Sequence, residues 1–441
     1  MRVAQTPTPA LLLVTGSLSL GALVTLVLTR APLGSPVFFA AAGTMAVAYF
    51  LILARLWHEP VAGPRLLLAA FIFSLAFRVP VAIAPVGADN DMVRYLWDGR
   101  LQRLGYNPYL VTPSDPAVAH VHTAETRRMP SVRARTPYPP GAQLFFRAVV
   151  SIRESVRAMK LALIACDVLT IVVIWRWLVV TGRNQWLALG YAWNPLVILE
   201  VAHSGHIDAL GALWIAAAAY WMACRRTALA SVAFALAFAT KLLPIVLAPL
   251  FWRRIRGRDA VLAGVVLAAL SVPFMTAAAL PLGAVPNVVA HIRFNAPVFP
   301  IIAAVWTPQI AAAVAVLLGL AVAAWARWRL PITDPAAWAW PMAVSLACAP
   351  VIYPWYLLYF TPFLVSAMTV PLMVWSVSVL PVYLIWSVPI LRAPWVVPFS
   401  VMAIEYGAVA LTLASVLSSV RRVRRTAGER VIKPRTAGPR A

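Results

Sequence analysis

Asp89-Asn90-Asp91-Met92-Val93-Arg94-Tyr95-Leu96-Trp97-Asp98-Gly99 begins just past an apolar run over 65–85, and that junction decides how the chain is read. A bilayer's hydrocarbon core takes about 20 apolar residues per helix, so the run is long enough to cross it. The segment that follows holds three carboxylates within ten residues of a chain with 14 acidic residues in all. Composition alone does not produce such a cluster, which marks a chemistry-bearing loop at a membrane surface. Apolar runs of the same length recur on both sides along nearly all 441 residues. At 62% hydrophobic residues and a mean hydropathy of +0.83, the chain lies well above a soluble domain. The expected fold is an all-α polytopic membrane protein.

The first apolar run, about 10–29, is followed by no small-residue cleavage site and reads as the first span. Cys166, Cys224 and Cys348 all fall inside apolar runs, which suits small core residues better than a disulfide framework or a thiolate metal site. The formal charge of +23 comes almost wholly from arginine, since lysine stands only at 160, 241 and 433. In a soluble protein such an excess points to nucleic acid. Here much of it sits in short loops between spans, where the positive-inside rule accounts for it and no nucleic-acid partner is needed.

Those loops set a topology. Arg55 to Arg65, Arg183, Arg225-Arg226, the cluster Arg253 to Arg258, Arg327 with Arg329, and the tail from Arg421 mark the cytoplasmic side. The spans between them run at about 10–29, 36–56, 65–85, 158–180, 186–202, 206–224, 259–280, 307–327, 335–352, 354–370, 371–391 and 396–419. Residues 227–252 carry arginines at both ends, so a hairpin bent near Lys241-Leu242-Leu243-Pro244 preserves the sidedness. The expectation is about 12–14 transmembrane helices in one domain over 1–420, followed by a disordered basic cytoplasmic tail at 421–441. Outside lie a large first loop, 86–157, read as a packed cap with short surface helices, and a smaller stretch at about 281–297.

Charge inside a bilayer costs about 2.5–3.5 kcal/mol on insertion scales, so each instance asks for a reason. Asp167 and Arg78 fall within spans and are expected to neutralise buried partners. Glu200, His203, His206 and Asp208 follow Trp193-Asn194-Pro195 at the outer end of a span. Glu200 with His203, and His203 with His206, share a face if the helix continues. Gly205 is expected to break it, which favours a polar wall over a zinc site. Lys241 has two readings, a cation snorkelling to the interface or one receiving a phosphate. Tyr353-Pro354-Trp355-Tyr356 is either an aromatic belt or the lining of a lipid-carrier groove.

Taken in order, several motifs resemble a family. Asp91, Arg94-Tyr95, Trp97-Asp98-Gly99 and Gly105-Tyr106-Asn107-Pro108-Tyr109 look like the first external loop of the bacterial GT-C membrane glycosyltransferases. The narrower likeness is to the polyprenyl-phosphate-mannose-dependent mannosyltransferases related to actinobacterial lipomannan synthesis. Tyr138-Pro139-Pro140 with Gln143, Trp193-Asn194-Pro195 with Glu200, Gly205-His206-Ile207-Asp208, Lys241-Leu242-Leu243-Pro244 and Pro354-Trp355-Tyr356 follow in the family's order. The resemblance implies a plasma-membrane transferase with an extracytoplasmic active site. Its partners would be a polyprenyl-phosphate-linked sugar donor, a glycolipid or glycan acceptor, and membrane lipids. It implies no cofactor, and a divalent metal stays open. The family's catalytic aspartate aligns best with Asp91; relatives often carry two adjacent acids there, whereas this chain has Asn90, so Asp89 stands as the alternative base. Lys241, Arg94 and His206 become candidates for the donor phosphate, and Tyr95, Trp97, Asp98, Tyr138, Glu200, Asp208, Trp355 and Tyr356 for substrate contact.

The chemistry agrees with that expectation. Glycosyl transfer passes through an oxocarbenium-like state. Phosphate is a good leaving group, while the acceptor hydroxyl is a poor nucleophile that one positioned carboxylate activates roughly 10²–10⁴-fold. One base without a nucleophile pair predicts inversion. Competing readings are a solvated acidic loop in which Asp98 pairs with Arg94 or Arg100, a lipid-linked sugar transporter or flippase, and a lipid-linked glycan ligase. A transporter would be expected to show broken helices in corresponding halves, and one candidate broken segment is visible, without a counterpart.

Overall fold

The computed structural model describes residues 8–57, 64–86, 90–276, 280–392 and 395–432, with backbone alone over 423–432. The chain is an all-α polytopic membrane protein. Among the described residues there is no β-strand, and an isolated parallel bridge joins Phe294 to Val351. Three spans come first, α1 (Thr8–Leu28), α2 (Pro36–Leu56) and α3 (Pro64–Ile83). The large loop contributes α4 (Asp91–Arg103) and α5 (Pro140–Ile152) before the fourth span, α6 (Val156–Val180). Later spans are Gly257–Phe274, Pro308–Arg329, Ala367–Ser387 and Phe399–Arg422, which makes eight long enough to cross among the described residues.

The remaining expected spans are shorter or broken, at proline over 335–363 and between the left-handed Gly205 and Arg225 at Asp208–Ala223. Residues 335–352 form a helix only over Pro335–Ala347, with Pro341 inside it. At 1.5 Å per residue, such a helix reaches about two thirds of the hydrocarbon thickness. Residues 354–363 follow as two 3₁₀ turns, one beginning at Pro354 and one with Pro362 in its second position. Pro195–Ser204, Asp208–Ala223 and Thr227–Thr240 are likewise apolar helices below full length. The bend expected near Lys241 is present. Thr227–Thr240 stops there, Lys241 is extended (φ −159°, ψ 154°), and a 3₁₀ turn at Leu243–Leu247 carries the chain onward. The last helix runs Phe399–Ile432, so the stretch read as a tail is helical up to 432, and 433–441 lie outside the described residues.

The large loop is a packed cap. Val93, Trp97 and Leu101 of α4 bury against Val118, Val121 and Met129 to form a small core of their own. Gly99 lets α5 approach α4 directly, since a Cβ there would lie 2.7 Å from the Phe146 carbonyl oxygen. The cap also meets the smaller stretch expected on its side, the Ala284 N–H donating to the Thr136 carbonyl at 3.0 Å, and the end of the span before it, Asn107 Nδ2 donating to the Phe274 carbonyl at 3.0 Å. Basic loops contact one another elsewhere: Arg327 Nε donates to the Trp252 carbonyl at 2.8 Å, Arg254 Nη2 to that of Arg327 at 3.1 Å, and Asn184 Nδ2 to that of Leu56 at 3.1 Å.

Buried charge is neutralised as the composition required. Arg78 of α3 meets Asp167 of α6 with Nε–Oδ2 at 2.7 Å and Nη2–Oδ1 at 3.3 Å, while Nη1 donates to the carbonyls of Ser74 and Ala192. Lys160 of α6 donates to the Val81 and Ala84 carbonyls at 2.6 and 2.8 Å, satisfying acceptors at the end of α3. Removing one member of a buried pair strands the other charge, whereas apolar replacement of both is often neutral. Arg78→Met is therefore expected to cost about 3–5 kcal/mol, and Arg78→Met/Asp167→Leu to regain most of it. Thermal unfolding of the detergent-solubilised protein checks this, and a double variant as unstable as the single one contradicts it.

Candidate active site

Asn90 caps α4, its Oδ1 accepting the Met92 N–H at 2.8 Å while its Nδ2 donates to the Ser204 carbonyl at 3.0 Å. The residue that departs from a paired-acid pattern thus does structural work, setting the first turn of α4 against the chain around 204. Asp91 is the first helical residue, where the helix dipole favours a carboxylate. Its side chain is 35% exposed and opens onto a cavity of about 410 Å³.

Across that cavity the chain leaves ordinary helical pitch. Ile198–Ser204 is a π-helix ended by Gly205 in the left-handed region (φ +77°). The backbone there demands glycine, and a Cβ would lie 1.8 Å from Met92 Cε, so any larger residue would also displace the end of that side chain. Such wide turns gather at functional sites. The wider turn leads Glu200 to His206: the His206 N–H donates to the Glu200 carbonyl at 3.0 Å, and the side chains meet Oε2 to Nε2 at 3.2 Å. His203, which shared the expected helical face with Glu200, instead lies beside Ser204, Nδ1 to Oγ at 3.4 Å.

His206 is clamped. Its ring lies flat on Trp355, centroids 4.0 Å apart at 6°, and Trp355 in turn stacks on Tyr353 at 4.5 Å and 8°. Nδ1 stands 3.8 Å from Asp91 Oδ2 and makes no hydrogen bond. Tyr383 donates its hydroxyl to Glu200 Oε1 at 2.5 Å. Asp91, His206, Glu200 and Tyr383 form a polar line running from the open cavity into the fully buried interior. A second pair lies close by. Asp208, at the start of Asp208–Ala223, holds Lys241 with Oδ1–Nζ at 2.7 Å, and the ammonium sits 3.8 Å above the Tyr356 ring.

Two phenols wall the loop side. Tyr95 accepts the Ile207 N–H at 3.2 Å and stacks on Phe146 at 4.4 Å and 9°, with Tyr138 edge-on at 5.1 Å. Burial, reinforced by the Asp91 and Asp208 carboxylates, pushes the Tyr95 hydroxyl well above its usual range. Burial and then Asp91 do the same at Tyr138. Both phenols stay protonated and serve as wall and hydrogen-bonding groups.

Of the residues expected at the site, the fold gathers Asp91, His206, Glu200, Asp208, Lys241, Tyr95, Tyr138, Trp355 and Tyr356. Arg94, Trp97 and Asp98 are directed elsewhere, into the interior of the cap. Asp98 is fully buried and accepts from Arg94 Nε at 2.8 Å, Thr136 Oγ1 at 2.7 Å and Gln143 Nε2 at 2.8 Å. Arg94 also donates to the Ala134 carbonyl at 3.0 Å and packs over Trp97, 5.2 Å from its ring, while Trp97 stacks on His122. That trio scaffolds the loop. Asp89 lies outside the described residues. Among the described residues no group of three or more His, Cys, Asp or Glu is disposed to hold a metal.

Sequence reading missed Arg30, Tyr383, Trp386 and Arg392, all of which line the cavity with Asp91 and His206. One signal was available: under the alternating topology Arg30 falls on the outer side, against the positive-inside bias. Tyr383 and Trp386 carry no local signature, being aromatic residues in an aromatic-rich span.

Comparison with known families gives the chain its relatives. A family model described as the alpha-(1->6)-mannopyranosyltransferase N-terminal domain matches residues 8–255, more than half of the chain. No curated protein and no solved structure matches it. The matched stretch carries Asp91, Glu200, His206, Asp208 and Lys241, while Trp355 and Tyr383 come from beyond it. With this match, the apolar helical architecture and the acid-bearing cap, the chain belongs to the MptA_B family of alpha-(1->6)-mannopyranosyltransferases, membrane-embedded glycosyltransferases of GT-C type.

Proposed function

We propose that this mannosyltransferase takes mannose from a polyprenyl-phosphate donor and passes it, with inversion, to a glycolipid or glycan acceptor on the outer face of the plasma membrane. The observation that carries the reading is a part-exposed carboxylate, Asp91, facing a cavity between membrane-embedded helices and set 3.8 Å from an imidazole nitrogen that has no hydrogen-bond partner. The outer location draws support from the basic loops, which contact one another away from the cavity and which the positive-inside rule assigns to the cytoplasm.

In the reaction, Asp91 takes the proton of the acceptor hydroxyl as its oxygen attacks the anomeric carbon. The bond from that carbon to the phosphate oxygen breaks on the opposite face, and its electron pair leaves with the lipid phosphate. Inversion of a β-linked lipid-phosphate mannose gives the α-mannoside of the family's description. Charge develops on the departing phosphate, and preorganised donors aimed there lower the barrier. Of the three candidates named from sequence, His206 is the one that lines the cavity; its Nε2 faces Glu200, and its Nδ1 has no hydrogen-bond partner. Glu200 and Trp355 fix its orientation. The stacked rings of Trp355 and Tyr353 offer an apolar wall beside the cavity for a sugar face.

Purified protein given polyprenyl-phosphate mannose and a mannoside acceptor is expected to form a new α-mannoside in detergent, with no membrane gradient; absence of product there contradicts the reading. Asp91→Asn is expected to lower kcat about 10²–10⁴-fold with an unchanged Tm. Asp98→Asn, which disturbs a buried three-donor carboxylate, is expected to lower Tm instead, and Asp89→Asn to keep most activity. Full turnover by Asp91→Asn sinks the assignment of the base. His206→Gln is expected to lower kcat about 10²-fold, the usual effect of removing one transition-state donor, as followed by single-turnover kinetics.

A further inference from the structure

We propose that Arg30 holds the phosphate of the lipid donor and that the prenyl chain lies along the groove between α1 and α2. This rests on the lipid-phosphate reading above and gives the donor a place in the fold.

The first observation is the backbone at the end of α1. The Arg30 N–H donates to the Val27 carbonyl at 3.1 Å and the Ala31 N–H to the Leu26 carbonyl at 3.2 Å, the bonding of a Schellman turn. The residue at its centre takes the left-handed conformation, and glycine is the usual occupant. Here it is Arg30, at φ +48°. Arg225 and Arg253 take the same conformation in the basic loops, so what sets Arg30 apart is that its turn borders the cavity of Asp91.

The second observation is how the turn is held. Ser387 Oγ donates to the Gly34 carbonyl at 2.8 Å, and Gly34 (φ +78°) packs so closely that a Cβ would lie 2.0 Å from the Tyr383 carbonyl oxygen. The connection between α1 and α2 is thus pinned to the segment whose Tyr383 hydroxyl holds Glu200. Arg30 has a fixed place relative to the Asp91–His206 centre.

The third is electrostatic. Arg30 lines the same cavity as Asp91 and His206, is exposed, and among the described residues has no carboxylate partner, whereas Arg78, Arg94 and Lys241 each have one. His206, 4% exposed, lines that cavity with its Nδ1 lacking a hydrogen-bond partner. A guanidinium and an imidazole converging on one space suit a phosphate oxyanion.

The groove supplies the chain's path. Ser17, Gly21, Ala22 and Thr25 of α1 face Ala40 and Ala41 of α2 across a trough of about 810 Å³. Thr25 at its end directly precedes Leu26 and Val27, which line the cavity, so the trough leads toward Arg30. An apolar channel ending at a cation complements a long hydrocarbon that ends in a phosphate. The occupant it fits is the prenyl tail.

Gly21 makes the test direct, because it lines the trough and a Cβ there would meet nothing within 4 Å, so a larger side chain is aimed at the trough. Mannosyl phosphates of a long polyprenol and of geraniol serve as donors, with the enzyme in phosphatidylcholine nanodiscs. Gly21→Phe is expected to raise KM for the long donor about tenfold, at unchanged kcat, and to leave KM for the geranyl donor alone. Gly43→Phe, on α2 with equally open space and outside the trough, is expected to match the wild type for both. Arg30→Gln is expected to raise KM for both donors about tenfold or more, with partial rescue by Arg30→Lys. A wild-type KM for the long donor in Gly21→Phe means that ordinary phospholipid fills the trough, and it overturns the chain path. Unchanged kinetics in Arg30→Gln overturn the phosphate site. A wild-type enzyme inert toward both donors overturns the lipid-phosphate reading itself.

Discussion

The architecture depends on the cost of placing charge where water is scarce. Arg78 answers it with Asp167, Lys160 with the carbonyl oxygens that end α3, Lys241 with Asp208, and Glu405 with Asn295 and Trp375. Each of these contacts ties segments distant in the chain, so solving the electrostatic problem also fixes the packing. The cavity stands out because the settlement stops short there. Asp91 is open to solvent, and His206 has a nitrogen without a hydrogen-bond partner. Polar groups left in that condition beside a cavity are where a substrate can supply what the protein does not.

The cap shows how one sequence cluster splits into two jobs. Asp91 and Asp98 lie seven residues apart on α4, nearly two turns, which puts them on a similar side. Yet Asp98 is enclosed by Arg94, Thr136 and Gln143, while Asp91 sits at the helix start beside the cavity. The buried one holds the loop in shape; the open one is left for chemistry. That scaffold and the Asn90 bond to Ser204 together set the first turn of α4 beside the cavity.

Much of this was legible in the chain itself. Apolar runs gave the polytopic class, proline at 244 gave the bend after Lys241, and scarce intramembrane charge gave the neutralising roles of Arg78 and Asp167. The acid cluster pointed to the cap. What sequence missed has physical causes. Regular helical spacing pairs Glu200 with His203, but the π-helix changes the pitch and the partner becomes His206, six residues on. The resemblance offered Arg94 and Asp98 for substrate, while the sequence also allowed them to pair with each other, and an i,i+4 ion pair and a substrate-binding pair look alike until burial is known. Tyr383 and Trp386 reach the site through tertiary packing, which no local pattern encodes.

The ring against His206 and the hydroxyl on Glu200 have a bearing on biogenesis. Both come from the distal half of the polypeptide, well past the stretch that the family model matches. Helices inserted early can pair Arg78 with Asp167 and settle the cap, yet the histidine has no platform until Trp355 arrives, and the glutamate no hydroxyl donor until Tyr383 does. Synthesis runs from the amino end, at about 5–20 residues per second. The growing chain therefore remains without a complete centre through most of its translation and gains one only as its final spans enter the bilayer.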